Sequence, residues 1–358
     1  MKYSIIVPVY NRPDEVDELL QSLCDQKAKD FEVLIVEDGS QRDCKAIVEK
    51  YHDRLDVKYF MKENSGPGQS RNYGAERANG EWLIVLDSDV VLPEGYLEAV
   101  EKSLTSHLSP LTSEIVAFGG PDTAHPSFTP VQKAISYSMT SFFTTGGIRG
   151  SSPQSGGARG ALDKFYPRSF NMGIRRDVYL QLGGFTKMRF GEDIDFSYRI
   201  VEAGYRPRLF PEAWVWHKRR TDFRKFFRQV YNSGIARINL EKRHPGTMKL
   251  VHLLPTVFTV GVIALILISA VGRALMHYVD RDQFYWMCFA PWIPIILYSL
   301  LICVDSTIKN RSLRVGILSV PAAFVQLMGY GLGFIESWWK RCVLKQDEFQ
   351  AFEKTFYK

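Results

Sequence analysis

The chain has 358 residues, 46% of them hydrophobic and 23% charged, and a formal net charge of +6 at pH 7, enough length for one large domain or two modest ones. The small basic excess is not clustered and no helix-turn-helix, zinc-finger or RNA-recognition pattern accompanies it, so no nucleic acid partner is expected. Five scattered cysteines (Cys24, Cys44, Cys288, Cys303, Cys342) without a Cys-x-x-Cys exclude a zinc knuckle or disulfide framework and fit a reducing compartment for the part before residue 245.

Only Tyr3-Ser4-Ile5-Ile6-Val7 separates Lys2 from Pro8, too short a run for a signal peptide, and residues 3–9 read as the first strand. Asn11-Arg12-Pro13-Asp14 turns into a helix with Leu19, Leu20 and Leu23 as its apolar stripe. Strand two, 31–36, ends in Glu37-Asp38-Gly39-Ser40, followed by a helix over 41–53 and a short strand at 56–61. Gly66-Pro67-Gly68-Gln69-Ser70-Arg71-Asn72 opens a third helix. Strand four, Trp82-Leu83-Ile84-Val85-Leu86, is apolar without alternation, as in a strand buried on both faces of a parallel sheet, and it ends in Asp87-Ser88-Asp89. This β-α-β-α-β-α-β order predicts a doubly wound α/β sheet. No Gly-x-Gly-x-x-Gly follows strand one and no P-loop occurs, which excludes both of those phosphate cradles. Parallel sheets carry their chemistry at the carboxyl ends of strands. Two carboxylates there are hard ligands for a divalent cation that also binds phosphate oxygens, so a metal–nucleotide site is expected.

Residues 94–107 read as helix and 114–120 as strand. The run 144–160, rich in Gly and Ser with Arg149 and Arg159, has the composition of a mobile loop, either an insertion without a role or a lid that orders on binding. A strand at 170–174 and a short helix at 176–182 lead to Gly191-Glu192-Asp193-Ile194-Asp195-Phe196, which begins a helix to about Ala203 with acids complementing its dipole. Trp214-Val215-Trp216-His217 is a short apolar run ending in a histidine that is either structural or a ligand. Phe223, Phe226, Phe227, Val230, Tyr231, Ile235 and Ile238 then recur at helical spacing, with Arg224, Lys225, Arg228 and Arg237 off the stripe. Such a helix either packs on its own domain or lies in the headgroup region of a membrane.

Three apolar segments follow, 251–271, 284–304 and 313–335, and roughly 20 residues suffice to cross a bilayer. Arg237, Lys242, Arg243 and Lys249 place the start of the first on the cytoplasmic side. Three full crossings would leave the tail outside, although Trp338-Trp339-Lys340-Arg341 prefers the inside; three crossings are the expectation adopted, with a re-entrant segment as the alternative.

Five of these pieces, Ile5-Ile6-Val7-Pro8-Val9-Tyr10-Asn11, Val36-Glu37-Asp38-Gly39-Ser40, Gly68-Gln69-Ser70-Arg71-Asn72, Asp87-Ser88-Asp89 and Gly191-Glu192-Asp193-Ile194-Asp195-Phe196, together resemble the inverting family 2 glycosyltransferases of GT-A fold. The resemblance covers roughly residues 3–217, and the apolar segments look like the membrane tail of many bacterial members. It implies a GT-A (Rossmann-like) nucleotide-diphospho-sugar transferase domain over 1–220, an amphipathic interfacial helix over 221–245, and a helical transmembrane region with a short tail over 246–358. By the same resemblance Pro8 and Tyr10 line the base pocket, Asp38 reads the nucleobase edge, and Arg71 approaches the diphosphate. Asp87 binds the ribose or the water shell of the metal, and Asn11 and Ser88 join the nucleotide-sugar set. Asp89 ligates Mn2+ or Mg2+, His217 helps hold the metal or diphosphate, and Asp193 is the general base with Glu192 beside it.

The chemistry is coherent on its own terms. A divalent ion neutralises charge on a diphosphate leaving group, and the acceptor hydroxyl needs one carboxylate to take its proton. The Gln-x-x-Arg-Trp of processive synthases is missing, since Phe227-Arg228-Gln229-Val230-Tyr231-Asn232 stands there, so transfer of a single sugar is expected. The implied setting is the cytoplasmic face of the inner membrane, with a lipid-linked or glycan acceptor in cell-surface glycan or glycolipid synthesis. Two alternatives are a polyprenyl-phosphate glycosyltransferase and an inactive nucleotide-binding membrane scaffold. The intact Glu192-Asp193 pair argues against the first, and the presence of Asp89 and Asp193 against the second.

Overall fold

The computed structural model describes residues 1–106, 115–147, 165–188, 190–275 and 288–348. They form two units, Met1–Pro126 with Ser151–Lys218, and Ser127–Gly150 with Arg219–Phe356.

The first unit is built on a sheet of order β3-β2-β1-β4-β8-β6-β9. Its strands are β1 (Tyr3–Val9), β2 (Phe31–Asp38), β3 (Val57–Lys62), β4 (Trp82–Leu86), β6 (Ala117–Gly119), β8 (Asn171–Arg175) and β9 (Arg208–Leu209). The first four are parallel, with Ile5 opposite both Val33 and Ile84. Every residue of β1, β2 and β4 is buried, which is why their apolar runs do not alternate. Ile5, Val7 and Val9 pack under α1 (Pro13–Cys24), α2 (Lys45–Glu49) and α4 (Tyr96–Ser106), whereas Ile6 faces the opposite layer of α3 (Pro67–Arg77), α7 (Arg176–Gln181) and α8 (Glu192–Glu202). The sheet is mixed rather than purely parallel, because β8 runs antiparallel to β4 and to β6.

The helix expected over 41–53 is only Lys45–Glu49. The amides that would start it earlier are held elsewhere: Gln41 and Arg42 donate to Asn11 Oδ1 and Cys44 donates to Glu37. A second sheet joins β5 (Val90–Val91), β10 (Val215–His217) and β7 (Asp122–Thr123). His217 pairs with Val90, and Val215 pairs with Asp122.

The second unit contains α5 (Pro130–Thr140), α6 (Phe142–Thr145), α9 (Phe223–Arg243), α10 (Leu254–Leu275), α11 (Ile293–Asn310) and α12 (Leu313–Trp338). A capping box of Thr129 and Gln132 starts α5, and the Asp222 carboxylate accepts from Lys225 N–H to start α9. Three helical stretches, Leu250–Ala274, Ala290–Asn310 and Leu313–Val343, are long and apolar enough to cross a membrane. Residues 284–287, where the second was expected to begin, lie outside the described set, as do 148–160 of the Gly- and Ser-rich run and the tail from 349. Large apolar side chains stand exposed on α10 (Val257, Ile266, Leu267) and α11 (Ile296, Leu297, Leu300).

The aromatic stripe of α9 is covered by protein. Phe226 and Val230 are buried with Ile135 and Met139 of α5, and Phe223 and Val325 pack against them. Glycines let α12 approach closely: a Cβ on Gly333 would lie 2.0 Å from the Tyr231 carbonyl oxygen. Part of the apolar stripe of α9 thus meets its hydrophobic drive within the unit, at Phe226 and Val230.

Candidate active site

Asp87, Ser88 and Asp89 emerge from the carboxyl end of β4, where the strand gives way to the turn before β5. Pairing of β10 with β5 carries His217 to their side. His217 Nε2 lies 3.3 Å from Asp89 Oδ1 and its Nδ1 3.5 Å from Asp122 Oδ2. The ring stacks on Phe170 with centroids 5.0 Å apart. Asp87, Asp89 and His217 each present one ligand atom within 4.8 Å of the others. Two carboxylate oxygens and an imidazole nitrogen are a donor set for a divalent cation, and the two carboxylates favour the harder ions. The other oxygen of Asp89 already pairs with a cation, the guanidinium of Arg12. The charge of Asp89 raises the Arg12 pKa above its ordinary value.

From this cluster a buried ion-pair bridge runs to α8. Arg71 on α3, 3% exposed, donates to Asp87 Oδ1 at 2.7 Å and to Glu192 Oε1 at 3.1 Å. Gly68 permits the approach, since a Cβ there would crowd Phe185 and the Glu192 side chain at 3.2 and 3.3 Å. Gly191, at φ +82°, turns the chain so that Glu192 and Asp193 open the helix. Burial pushes the Glu192 carboxyl up to about 7, against the pull of Arg71. Asp193 is more open, at 20% side-chain exposure; its Oδ1 accepts from Ile194 N–H and its Oδ2 lies 3.6 Å from Arg168. Asp195 is 3% exposed and engaged by Thr186 and Arg199, which leaves Asp193 as the accessible carboxylate of the turn.

The residues expected on the nucleotide side are largely enclosed. Pro8 is buried in β1, Tyr10 is half-buried at its end, and Ser88 is buried. Asn11, at φ +54°, spends its side-chain oxygen on the amides of Gln41 and Arg42. Asp38 is 2% exposed; Oδ1 accepts from Lys62 Nζ and Ser65 N–H, and Oδ2 from Gly66 N–H. Three of the about four acceptor positions of this carboxylate are thus already used. Arg71, expected at the diphosphate, donates to Asp87 and Glu192. Reading of the sequence passed over Arg12, Asp122, Arg168 and Lys62 as site residues. Arg12 and Lys62 sit beside singled-out motifs, but Asp122 and Arg168 belong to none.

Residues 4–136 match the family model described as Glycosyl transferase family 2, and residues 82–303 match Glycosyl transferase family group 2. An "Uncharacterized glycosyltransferase" of Haemophilus influenzae is 30% identical over 208 residues, 56% of this chain and 62% of that protein. The poly(ribitol-phosphate) beta-N-acetylglucosaminyltransferase TarS of Staphylococcus aureus is 37% identical over 113 residues, 30% of this chain and 20% of that protein. The chain thus spans less than two thirds of the length of these curated relatives. Among solved structures, the mannosyltransferase PcManGT of Pyrobaculum calidifontis, in complex with GDP-Man and Mn2+, superposes with a TM-score of 0.54 at 14% identity, over 95% of this chain and 88% of that one. At that identity the likeness is one of fold.

Proposed function

The chain belongs to glycosyl transferase family 2 and is a glycosyltransferase of GT-A fold, and from its site we propose that it moves a single sugar from a nucleoside-diphosphate donor to an acceptor hydroxyl with inversion, using Mn2+ or Mg2+. The observation that carries this reading is the Arg71 bridge. It ties a cation-binding cluster at Asp87, Asp89 and His217 to an acid pair at Glu192 and Asp193.

Asp89 and His217 would hold the divalent ion, with Asp87 beside them or on its water shell. When bound, that ion neutralises the charge developing on the diphosphate leaving group. Asp193 takes the proton of the acceptor hydroxyl as it attacks, and one such group is enough because a diphosphate leaves without an acid, unlike the leaving group of a glycosidase. Arg168 keeps Asp193 near a positive charge until the hydroxyl arrives. Glu192 acts through Arg71, orienting Asp87 from behind. Tyr10, Asp38 and Ser88, at the carboxyl ends of β1, β2 and β4, would serve the nucleoside side, with Pro8 and Asn11 shaping the turn after β1.

Exposed apolar faces on α10 and α11 support a multi-pass membrane protein, and Arg237, Lys242, Arg243 and Lys249 before the first span favour a catalytic domain on the cytoplasmic face. A lipid-linked or glycan acceptor fits that setting. The test pairs two variants. Asp89→Asn should abolish Mn2+-dependent donor binding in calorimetry, and Asp193→Asn should bind donor normally while turnover falls on the order of 10²-fold or more. Normal turnover in Asp193→Asn, or unchanged metal-dependent binding in Asp89→Asn, would overturn the corresponding assignment.

A further inference from the structure

His217 is flanked by two carboxylates on opposite edges of its ring. Nε2 faces Asp89 at 3.3 Å, on the side of the cation cluster, and Nδ1 faces Asp122 at 3.5 Å. The second sheet builds this clamp. β10 lies between β5 and β7, so the strand carrying His217 is bonded on one side to the chain just after Asp89 and on the other to Asp122 itself. Phe170 covers a ring face. Asp122 lies outside the mutual 4.8 Å cluster of Asp87, Asp89 and His217 and meets the imidazole at its other nitrogen.

We propose that Asp122 is a positioning residue that fixes the orientation and tautomer of His217 for divalent-cation binding; this rests on the metal-dependent reading above. A neutral imidazole has one N–H and one lone pair. A carboxylate beside Nδ1 holds the proton on that nitrogen and leaves the Nε2 lone pair toward Asp89 and the ion. It also makes the imidazole a more basic ligand. Loss of such a partner typically weakens metal binding about 10- to 100-fold. No sequence motif marks Asp122; only the pairing of β7 with β10 brings it to the ring.

The experiment follows Mn2+ uptake by the full-length protein with UDP present, read as loss of the spin-resonance signal of the free aqueous ion beyond the loss that UDP alone causes. Asp122→Ala should weaken Mn2+ by about 10- to 100-fold. Asp122→Asn, whose amide oxygen could accept from Nδ1–H, should lose less. In a His217→Ala background, Asp122→Ala should add nothing further, a non-additivity that general loosening of the fold would not produce. Wild-type affinity in Asp122→Ala overturns the inference and leaves the metal reading standing. A full additional loss in the His217→Ala background also overturns it, because Asp122 would then act on the ion directly or through the fold. Absence of Mn2+ uptake by the unaltered protein removes the metal reading and this inference together.

Discussion

Asp89 is shared between a histidine and an arginine, and the arginine must yield for a cation to take both of its oxygens. Arg12 holds Oδ2 while His217 approaches Oδ1. A partly exposed ion pair of this kind is worth up to about 1 kcal/mol. Arg12→Gln should therefore tighten nucleotide-free Mn2+ binding by a factor of up to about 5, measured by titration calorimetry. Equal or weaker binding would mean that Arg12 supports the site instead of competing for it. Glu192 sets a pH dependence of stability. Its folded pKa is about 7 against an ordinary value of 4.5, because burial disfavours the charged form. Between those two values the unfolded chain has released a proton that the folded chain keeps. The stabilising contribution is complete below the lower value and is lost as pH rises to the upper one. Glu192→Gln should flatten that part of the curve of thermal midpoint against pH; an unchanged slope between about pH 5 and 7 would assign it to another group.

At the scale of elements, close packing depends on positions without a side chain. Gly331 of α12 meets Thr259 and the Pro255 carbonyl of α10, and Gly333 meets the backbone of α9. Gly333→Val should destabilise the helical unit by about 1–3 kcal/mol or more, as overpacking against backbone does, seen as a lower unfolding midpoint in detergent. A Cβ added to Gly261 of α10 would meet nothing within 4 Å, so Gly261→Ala should be neutral or stabilising by up to about 1 kcal/mol. If both variants melted alike, helix contact at Gly333 would not limit stability. Elements with a strong local pattern were legible in advance: β1, β2 and β4 from unbroken apolar runs, α9 from its stripe. The expected helix over 41–53 was not, because the amides of Gln41, Arg42 and Cys44 are claimed by Asn11 and Glu37 from other parts of the chain.

For the molecule as a whole, the three apolar helices are unlike in their surroundings. The apolar windows of α10 and α11 are 11% buried inside the protein, whereas that of α12 is 50% buried. α5 covers α12 at Val315, Ala322 and Ala323, and α9 runs along its later half, from Gly329 beside Val230 to Ser337 bonded to the Ile235 carbonyl. Arg224, Lys225, Lys242 and Arg243 stand exposed on α9. A bilayer-crossing α12 would draw such cations toward hydrocarbon, at about 2.5–3.5 kcal/mol each near its centre. The expected arrangement is thus two crossings, α10 and α11, with α12 remaining on the side of Lys249. Lys309, Arg311 and Arg314 at the α11–α12 turn and Lys340, Arg341 and Lys345 after α12 then share that side, which removes the conflict that three crossings create with the tail. A reporter fused after Lys358 that is active only in the cytoplasm should give signal. Activity of an exterior-only reporter at the same point would restore three crossings.

The sequence by itself determined the alternation of strands and helices, the acids ending β4 and opening α8, and the apolar helices, because each is written in a local period or a short motif. The three-dimensional arrangement alone decided which groups meet. Arg12 and Asp89 are 77 residues apart, and Arg71 and Glu192 are 121 apart. Such pairs depend on sheet order and strand register, so the commitment of Asp38 to Lys62 and the 65–66 backbone, the bridging role of Arg71 and the place of Asp122 beside His217 had no local signal. The enclosure of α12 had none either, since composition measures how apolar a helix is and not whether protein or lipid covers it.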